Sequence, residues 1–68
     1  MPTTTYTVTG MTCGHCVSSV TAEIGKIDGV TSVEVDLASG AVRVDSTTPI
    51  PTTTITAAVD EAGYQLAD

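Results

Sequence analysis

Two cysteines, Cys13 and Cys16, lie in the segment GMTCGHC and are the only cysteines of the 68-residue chain. A disulfide between residues this close would do little to stabilise a fold, because a short loop restrains little chain entropy. A pair of free thiols side by side is instead typical of metal binding or of thiol redox chemistry. The pair is therefore the candidate functional site of this sequence.

The number of sulfur ligands narrows the choice of metal. Thiolates favour Cu(I), zinc and iron–sulfur clusters, but structural zinc nearly always takes four ligands and clusters generally take four cysteines. This chain has two cysteines, and no cysteine or histidine follows Cys16. Cu(I) is satisfied by two or three soft ligands, so the ligand count favours Cu(I). Ag(I) and Hg(II) stay open as other soft ions.

Two neighbours of the cysteines also carry donor atoms. Met11 has a thioether, but a methionine that flanks a loop is more typical of an adaptable core residue, so we expect it to pack beneath the loop. His15 is the only histidine, and its neutral imidazole is a candidate third ligand. We expect His15 to point to solvent instead. There it would tune the pKa values of the cysteines, or act as a ligand when two molecules share copper.

Hydrophobic periodicity predicts the elements that position this loop. Alternating apolar and polar residues predict strands over Thr3–Thr9, Thr31–Leu37, Val42–Asp45 and Tyr64–Leu66. The middle two strands form a hairpin whose turn contains Gly40. The cysteine segment then lies between the first strand and the first helix, where unpaired backbone amides lower the pKa of a thiol.

Two segments show apolar stripes at helical spacing. The first stripe consists of Val17, Val20, Ile24 and Ile27. The second consists of Ile55, Ala58, Val59 and Ala62. Glycines are expected to end the two helices, Gly29 the first and Gly63 the second, while Pro51 suits the start of the second helix.

The order strand, helix, strand, strand, helix, strand corresponds to two split βαβ units. Each helix has one apolar stripe, so both helices must cover the same face of the sheet. The predicted fold class is therefore α+β: a ferredoxin-like βαββαβ sandwich in which two helices cover one face of a four-stranded antiparallel sheet. We expect one domain over residues 1–68, because the chain is too short for two.

Composition excludes several function classes. Eight acidic residues against two basic ones give a formal net charge of -6, which would repel nucleic acid. No apolar run approaches the roughly 18 residues that a membrane span needs, and the N-terminus has no signal-peptide pattern. We therefore expect no nucleic-acid partner, no membrane insertion and a cytoplasmic location.

The segment GMTCGHC resembles the Gly-Met-Thr-Cys-x-x-Cys motif of heavy-metal-associated domains, and nearly the whole chain is similar to the small bacterial copper chaperones of the CopZ type. The similarity includes the apolar spacing of the first helix, the hairpin EVDLASGAV (Glu34–Val42) and the tetrad EAGY (Glu61–Tyr64). A CxxC motif alone is weak evidence, but this combination is specific. The resemblance implies the βαββαβ fold and an exposed Cu(I) site made by Cys13 and Cys16.

The resemblance also implies a role and partners. It implies a carrier, not an enzyme, that delivers Cu(I) by thiolate exchange to a copper-exporting P-type ATPase, while donation to a copper-responsive repressor stays open. It places Tyr64 beside the metal loop, where the ring would shield the ion and the hydroxyl would donate a hydrogen bond to a thiolate. We expect a monomer without copper; whether two molecules share copper as a bridged dimer stays open.

Two other interpretations stay open. A CxxC pair near a βαβ pattern also occurs in thiol–disulfide oxidoreductases, although this chain is short for a thioredoxin, and Thr12 and His15 stand where that family has other residues. The second alternative is a metal-binding domain excised from a copper ATPase.

Overall fold

A computed structural model describes residues 2–67 of the chain. The strands are β1 (Thr3–Thr9), β2 (Val30–Asp36), β3 (Ala41–Ser46) and β4 (Gln65–Leu66), and the helices are α1 (Gly14–Gly25) and α2 (Thr52–Glu61). They follow one another along the chain in the predicted order. Met1 and Asp68, the ends of the domain expected over 1–68, lie outside the described residues.

The four strands form one sheet in the order β2-β3-β1-β4. All neighbouring pairs are antiparallel. The short strand β4 pairs with the end of β1, where Leu66 lies opposite Val8 and Gln65 lies opposite Thr9. The predicted α+β class, a ferredoxin-like βαββαβ fold with a four-stranded antiparallel sheet, is therefore confirmed.

The core lies between the sheet and the two helices. It consists of the buried residues Val8, Val20, Ile24, Val42, Val44, Ile55, Ala58 and Val59. Both helices bury their apolar stripes in this one cluster together with valines of β1 and β3, so they cover the same face of the sheet. Neither helix within residues 2–67 has the length and hydropathy needed to cross a membrane.

Helix α1 ends earlier than the sequence predicts. Its last residue is Gly25, four positions before Gly29, so the interpretation of Ile27 as helical was wrong. The N–H of Ile27 donates to the carbonyl of Ile24 at 3.1 Å. This three-residue spacing tightens the last turn and takes the chain out of the α-helix. Ile27 is nevertheless partly buried against the core.

The second strand also ends one residue early. The alternation predicts that Leu37 continues this strand, but Leu37 lies in the hairpin turn and is 38% exposed. The carbonyl of Asp36 accepts a hydrogen bond from the Gly40 N–H at 2.8 Å, and its carboxylate accepts one from the Ala38 N–H at 3.1 Å. These local bonds of Asp36 start the turn and override the alternation.

A carboxylate on the face of the sheet opposite the helices links three strands. Asp45 on β3 accepts hydrogen bonds from the hydroxyls of Thr3 on β1 and Ser32 on β2, each at 2.7 Å. The Ser32 hydroxyl is the main cause of a lowered pKa of Asp45, followed by Thr3, and Arg43 contributes less. These bonds hold together β1, β2 and β3, and β1 leads into the cysteine loop.

Candidate metal site

The cysteine loop lies where β1 ends and α1 begins. Cys13 is the N-cap residue of α1, with extended backbone (φ -158°, ψ 175°), and Cys16 lies in the first helical turn. The carbonyl of Cys13 accepts hydrogen bonds from the N–H groups of Cys16 at 3.0 Å and Val17 at 3.3 Å. The start of the helix therefore brings the two cysteines together.

The two sulfur atoms are close to each other but differ in exposure. Their Sγ atoms are 3.6 Å apart, and both cysteines are free thiols. Cys16 is buried, with 7% of its surface exposed, whereas Cys13 is exposed. The pair thus presents one sheltered sulfur and one sulfur that is open to solvent.

Hydrogen bonding lowers the pKa of Cys16 to about 6. The largest cause is the backbone N–H of Thr12, which donates to Cys16 Sγ at 3.5 Å. The Tyr64 hydroxyl is the next cause, burial raises the pKa in opposition, and Cys13 lowers it further. At neutral pH the sheltered sulfur is therefore mostly a thiolate, the form that binds metals.

Thr12 is the site residue that sequence reasoning missed. The sequence predicts that amides at the start of α1 act on the thiols, yet the main donor to Cys16 is the Thr12 N–H, which precedes the helix. The Thr12 hydroxyl also lies 3.9 Å from Cys16 Sγ. No sequence pattern signals this contact, because every residue except proline has a backbone N–H.

A Schellman motif at the end of α2 positions Tyr64. The Gly63 N–H donates to the carbonyl of Asp60 at 2.9 Å, and the Tyr64 N–H donates to the carbonyl of Val59 at 3.1 Å. Gly63 has φ 93°, the left-handed conformation that this motif requires. Gly63 therefore ends the second helix as predicted, and Tyr64 follows it just before β4 begins at Gln65.

The ring of Tyr64 packs beside the cysteine loop. A Cβ atom added to Gly10 would lie 3.3 Å from Cδ1 of this ring. Among the described residues, the direct hydrogen-bond contacts of Cys16 Sγ are with Thr12 and Cys13. The Tyr64 hydroxyl is not among these contacts, but it still lowers the pKa of Cys16. In turn, Cys16 is the main cause of a raised pKa of Tyr64.

The other two predicted residues of the site lie in different environments. Met11 is partly buried and packs against the core, which is the place expected for a core residue. His15 is the second residue of α1 and is exposed. Residues 2–67 contain no group of three or more His, Cys, Asp or Glu side chains arranged to hold a metal ion. Among residues 2–67 the structure therefore brings the two sulfurs together without a third side chain of these types.

The chain is similar to known proteins over most of its length. A family model described as heavy-metal-associated domain matches residues 5–65. The copper chaperone CopZ of Staphylococcus aureus is 40% identical over 60 residues, which cover 87% of this chain and 88% of that protein. A solved CopZ metallochaperone has a TM-score of 0.90 at 34% identity, with 97% of this chain and 100% of that chain covered. The Cu(I)-loaded N-terminal domain of a potential copper-translocating P-type ATPase from Bacillus subtilis has a TM-score of 0.83 at 29% identity, with 94% and 81% covered.

Proposed function

The chain belongs to the heavy-metal-associated domain family, and on that premise we propose that it is a cytoplasmic Cu(I) carrier that hands the ion to a copper-exporting P-type ATPase. Cys13 and Cys16 are the metal ligands in this proposal, and Met11, His15 and Tyr64 support or flank the loop. The observation that carries the proposal is a sheltered sulfur 3.6 Å from an exposed one.

Two sulfurs suit an ion of low coordination number. Structural zinc would need four ligands, whereas the described residues gather two sulfurs and no third His, Cys, Asp or Glu side chain. With metal–sulfur bonds of about 2.3 Å, as for zinc, two sulfurs on opposite sides of an ion stand about 4.6 Å apart. The observed 3.6 Å must therefore open by about 1 Å. Exposed Cys13 can make this movement without disturbing the core, while Cys16 stays in place.

Transfer proceeds by exchange of thiolate ligands. A thiolate of the partner forms a bond to Cu(I) from the side of exposed Cys13, which gives a three-coordinate ion. The bond to Cys13 then breaks, and its sulfur leaves as a thiolate with its electron pair. A second thiolate of the partner binds before Cys16 is released. Copper remains Cu(I) throughout, so no oxidant or reductant is needed.

The comparisons support the ion and the class of partner. A domain of the same fold belongs to a potential copper-translocating P-type ATPase and was solved in its Cu(I)-loaded state. The similarity to CopZ supports a role in copper carriage. Because a carrier only exchanges ligands, the proposed function is not that of an enzyme. The proposed location is the cytoplasm, because a copper exporter would collect its ion there. A copper-responsive repressor is a further candidate recipient, and a copper-bridged dimer is a candidate intermediate.

The test is an anaerobic titration of the reduced protein with Cu(I) against a coloured Cu(I) chelator. We expect tight uptake of about one ion per chain, because one sulfur pair holds one ion of low coordination. Cys13→Ser and Cys16→Ser should each lose this uptake, while Ser18→Ala on the exposed surface of α1 should keep it. A wild-type protein that cannot compete with the chelator would overturn the proposal, and more than one copper ion per chain would indicate a copper cluster shared between molecules.

A thiol–disulfide oxidoreductase is the second candidate function. The pKa of Cys16 near 6 and the short distance of 3.6 Å to Cys13 favour it. This function requires a reversible disulfide at cytosolic potential and turnover with a dithiol reductant. Absence of turnover with a disulfide substrate would remove this candidate without affecting the copper proposal.

The alternative of an excised ATPase domain is favoured by the similarity to the Bacillus subtilis ATPase domain. The gene sequence decides between a free-standing carrier and an excised ATPase domain. A reading frame that continues into membrane-spanning segments would support the excised domain, and one that stops at residue 68 would contradict it.

A further inference from the structure

Thr12 contacts the sheltered sulfur of the site with two different groups. Its backbone N–H donates to Cys16 Sγ at 3.5 Å, and its hydroxyl oxygen lies 3.9 Å from the same sulfur. Thr12 is exposed, so its hydroxyl is not held there by burial in the core. A thiolate has no proton to donate, so toward an ionised Cys16 the hydroxyl must be the donor.

The negative charge of the site with bound Cu(I) makes hydrogen-bond donors to the sulfurs necessary. One Cu(I) ion between two thiolates leaves one net negative charge, and the chain as a whole is already at -6. Neither basic side chain compensates it. Lys26 lies beyond the far end of α1, about 20 Å along the helix from Cys13, where its Nζ is 3.0 Å from Glu23. Arg43 is 3.4 Å from Asp45, on β3.

Neutral dipoles must therefore stabilise the charge of the metal–sulfur group. Buried Cys16 receives one of them from the Thr12 N–H. The Thr12 hydroxyl is a second such dipole, and a substitution can remove it while the backbone N–H stays. Exposed Cys13 differs, because water can solvate its sulfur.

We propose that Thr12 is a positioning residue that keeps Cys16 as the last sulfur to leave the ion, by donating its hydroxyl as well as its backbone N–H to the Cys16 sulfur. The inference rests on the proposed Cu(I) function and deepens it. Because the donors act on Cys16 and not on Cys13, the two ligands are unequal. Loss of the hydroxyl should weaken the bond to Cys16 and speed release of the ion.

Thr12→Val and Thr12→Ser form the decisive pair of variants. Valine has the shape of threonine without the hydroxyl, and serine keeps the hydroxyl without the methyl group. In competition with a coloured Cu(I) chelator, Thr12→Val should bind Cu(I) about tenfold more weakly, as expected for one hydrogen bond to a charged group. It should release the ion to the chelator faster by a similar factor. Thr12→Ser should stay within about twofold of the wild type.

Thr9→Val is the matched control at the same end of the sheet. The Thr9 hydroxyl donates to the carbonyl of Gln65 at 3.2 Å, so its loss removes a threonine hydrogen bond that does not involve a sulfur. Its copper affinity should equal that of the wild type. Thermal unfolding of each variant checks that the fold is intact, and Thr12→Ala replaces Thr12→Val if valine prevents folding.

The outcomes separate this inference from the function on which it rests. A wild-type protein that does not bind Cu(I) overturns the function itself. A wild type that binds tightly while Thr12→Val binds equally tightly overturns only the role of Thr12. Equal weakening in Thr12→Val and Thr12→Ser also overturns it, because a variant that keeps the hydroxyl would then bind copper no better than one that lacks it.

Discussion

The aromatic ring of Tyr64 lies against Gly10: a Cβ atom at position 10 would stand 3.3 Å from Cδ1 of the ring. Gly10 also has φ 94°, a backbone conformation that residues with side chains rarely adopt. This contact joins the cysteine loop to the residue that follows α2. The glycine allows both the turn out of β1 and the close approach of the ring.

Gly10→Ala should therefore destabilise the fold by about 1–2 kcal/mol from backbone strain, with a further loss from the contact with Tyr64. Gly63→Ala is the matched control, because Gly63 has a similar φ of 93° but nothing within 4 Å of an added Cβ atom. Urea denaturation measures both losses. Equal losses at the two positions would contradict the importance of the ring contact.

Cys16 should ionise near pH 6, whereas an ordinary cysteine ionises near 9.0. The ultraviolet absorbance of the thiolate measures this in Cys13→Ser, where Cys16 is the only thiol. The Thr12 N–H remains in that variant, so most of the lowering of the pKa should remain. A midpoint at the ordinary value would show that the loop does not stabilise the thiolate.

The same pKa predicts how Cys16 affects stability. Because the folded protein has the lower pKa, the ionised thiol stabilises the fold fully above about pH 9, and this contribution is lost as the pH falls through about 6. The difference in free energy of unfolding between the wild type and Cys16→Ser should therefore shift in favour of the wild type as the pH rises across this window. A difference that stays constant over this pH range would rule out the linkage.

Tyr64→Phe should raise the pKa of Cys16, since the Tyr64 hydroxyl is the second-largest cause of its lowering. We expect Cu(I) affinity to fall by about fivefold, less than in Thr12→Val, because the Tyr64 hydroxyl is not among the direct hydrogen-bond contacts of the Cys16 sulfur. Tyr6→Phe is the control: Tyr6 is on β1, where it packs against the core. Identical copper affinities for the two variants would limit Tyr64 to a packing role.

Met11→Leu should keep the copper affinity of the wild type, because Met11 packs against the core. The exchange of one apolar side chain for another of similar volume should cost less than about 1.5 kcal/mol in stability. Competition with the coloured chelator and urea denaturation measure the two quantities. A large loss of copper affinity with an intact fold would instead make the thioether a ligand.

Asp45→Asn should reduce the stability of the protein at neutral pH and flatten its acid dependence. The hydrogen bonds of Ser32 and Thr3 lower the pKa of Asp45 below its ordinary 3.8, so the carboxylate stabilises the folded state at neutral pH. That stability is lost as the pH falls below about 4 toward the lowered pKa. Urea denaturation at neutral and acid pH tests this, with Glu34→Gln on β2 as the control. An unchanged acid profile in Asp45→Asn would refute it.

Local patterns in the sequence were sufficient to predict the elements and the fold class. The apolar spacing identified helix residues such as Val20 and Ile55, which are fully buried. The patterns failed at Ile27 and Leu37, where short-range hydrogen bonds of the backbone and of Asp36 end an element before its apolar pattern ends. Periodicity reports which face of an element is apolar, and it contains no information on such polar stops.

The spacing of Cys13 and Cys16 was likewise enough to identify the sulfur pair as the candidate site. Only the tertiary structure decided that Cys16 is the sheltered sulfur and that Thr12 donates to it. It also decided that Tyr64 lies against Gly10. The shelter of Cys16 and the contact of Tyr64 with Gly10 depend on how α1 and α2 dock on one face of the sheet and on the pairing of β1 with β4. The bond from Thr12 to Cys16 spans only four residues and depends on the conformation of the loop. Docking and pairing join residues that are distant in the sequence, so no local pattern can specify the distances between them.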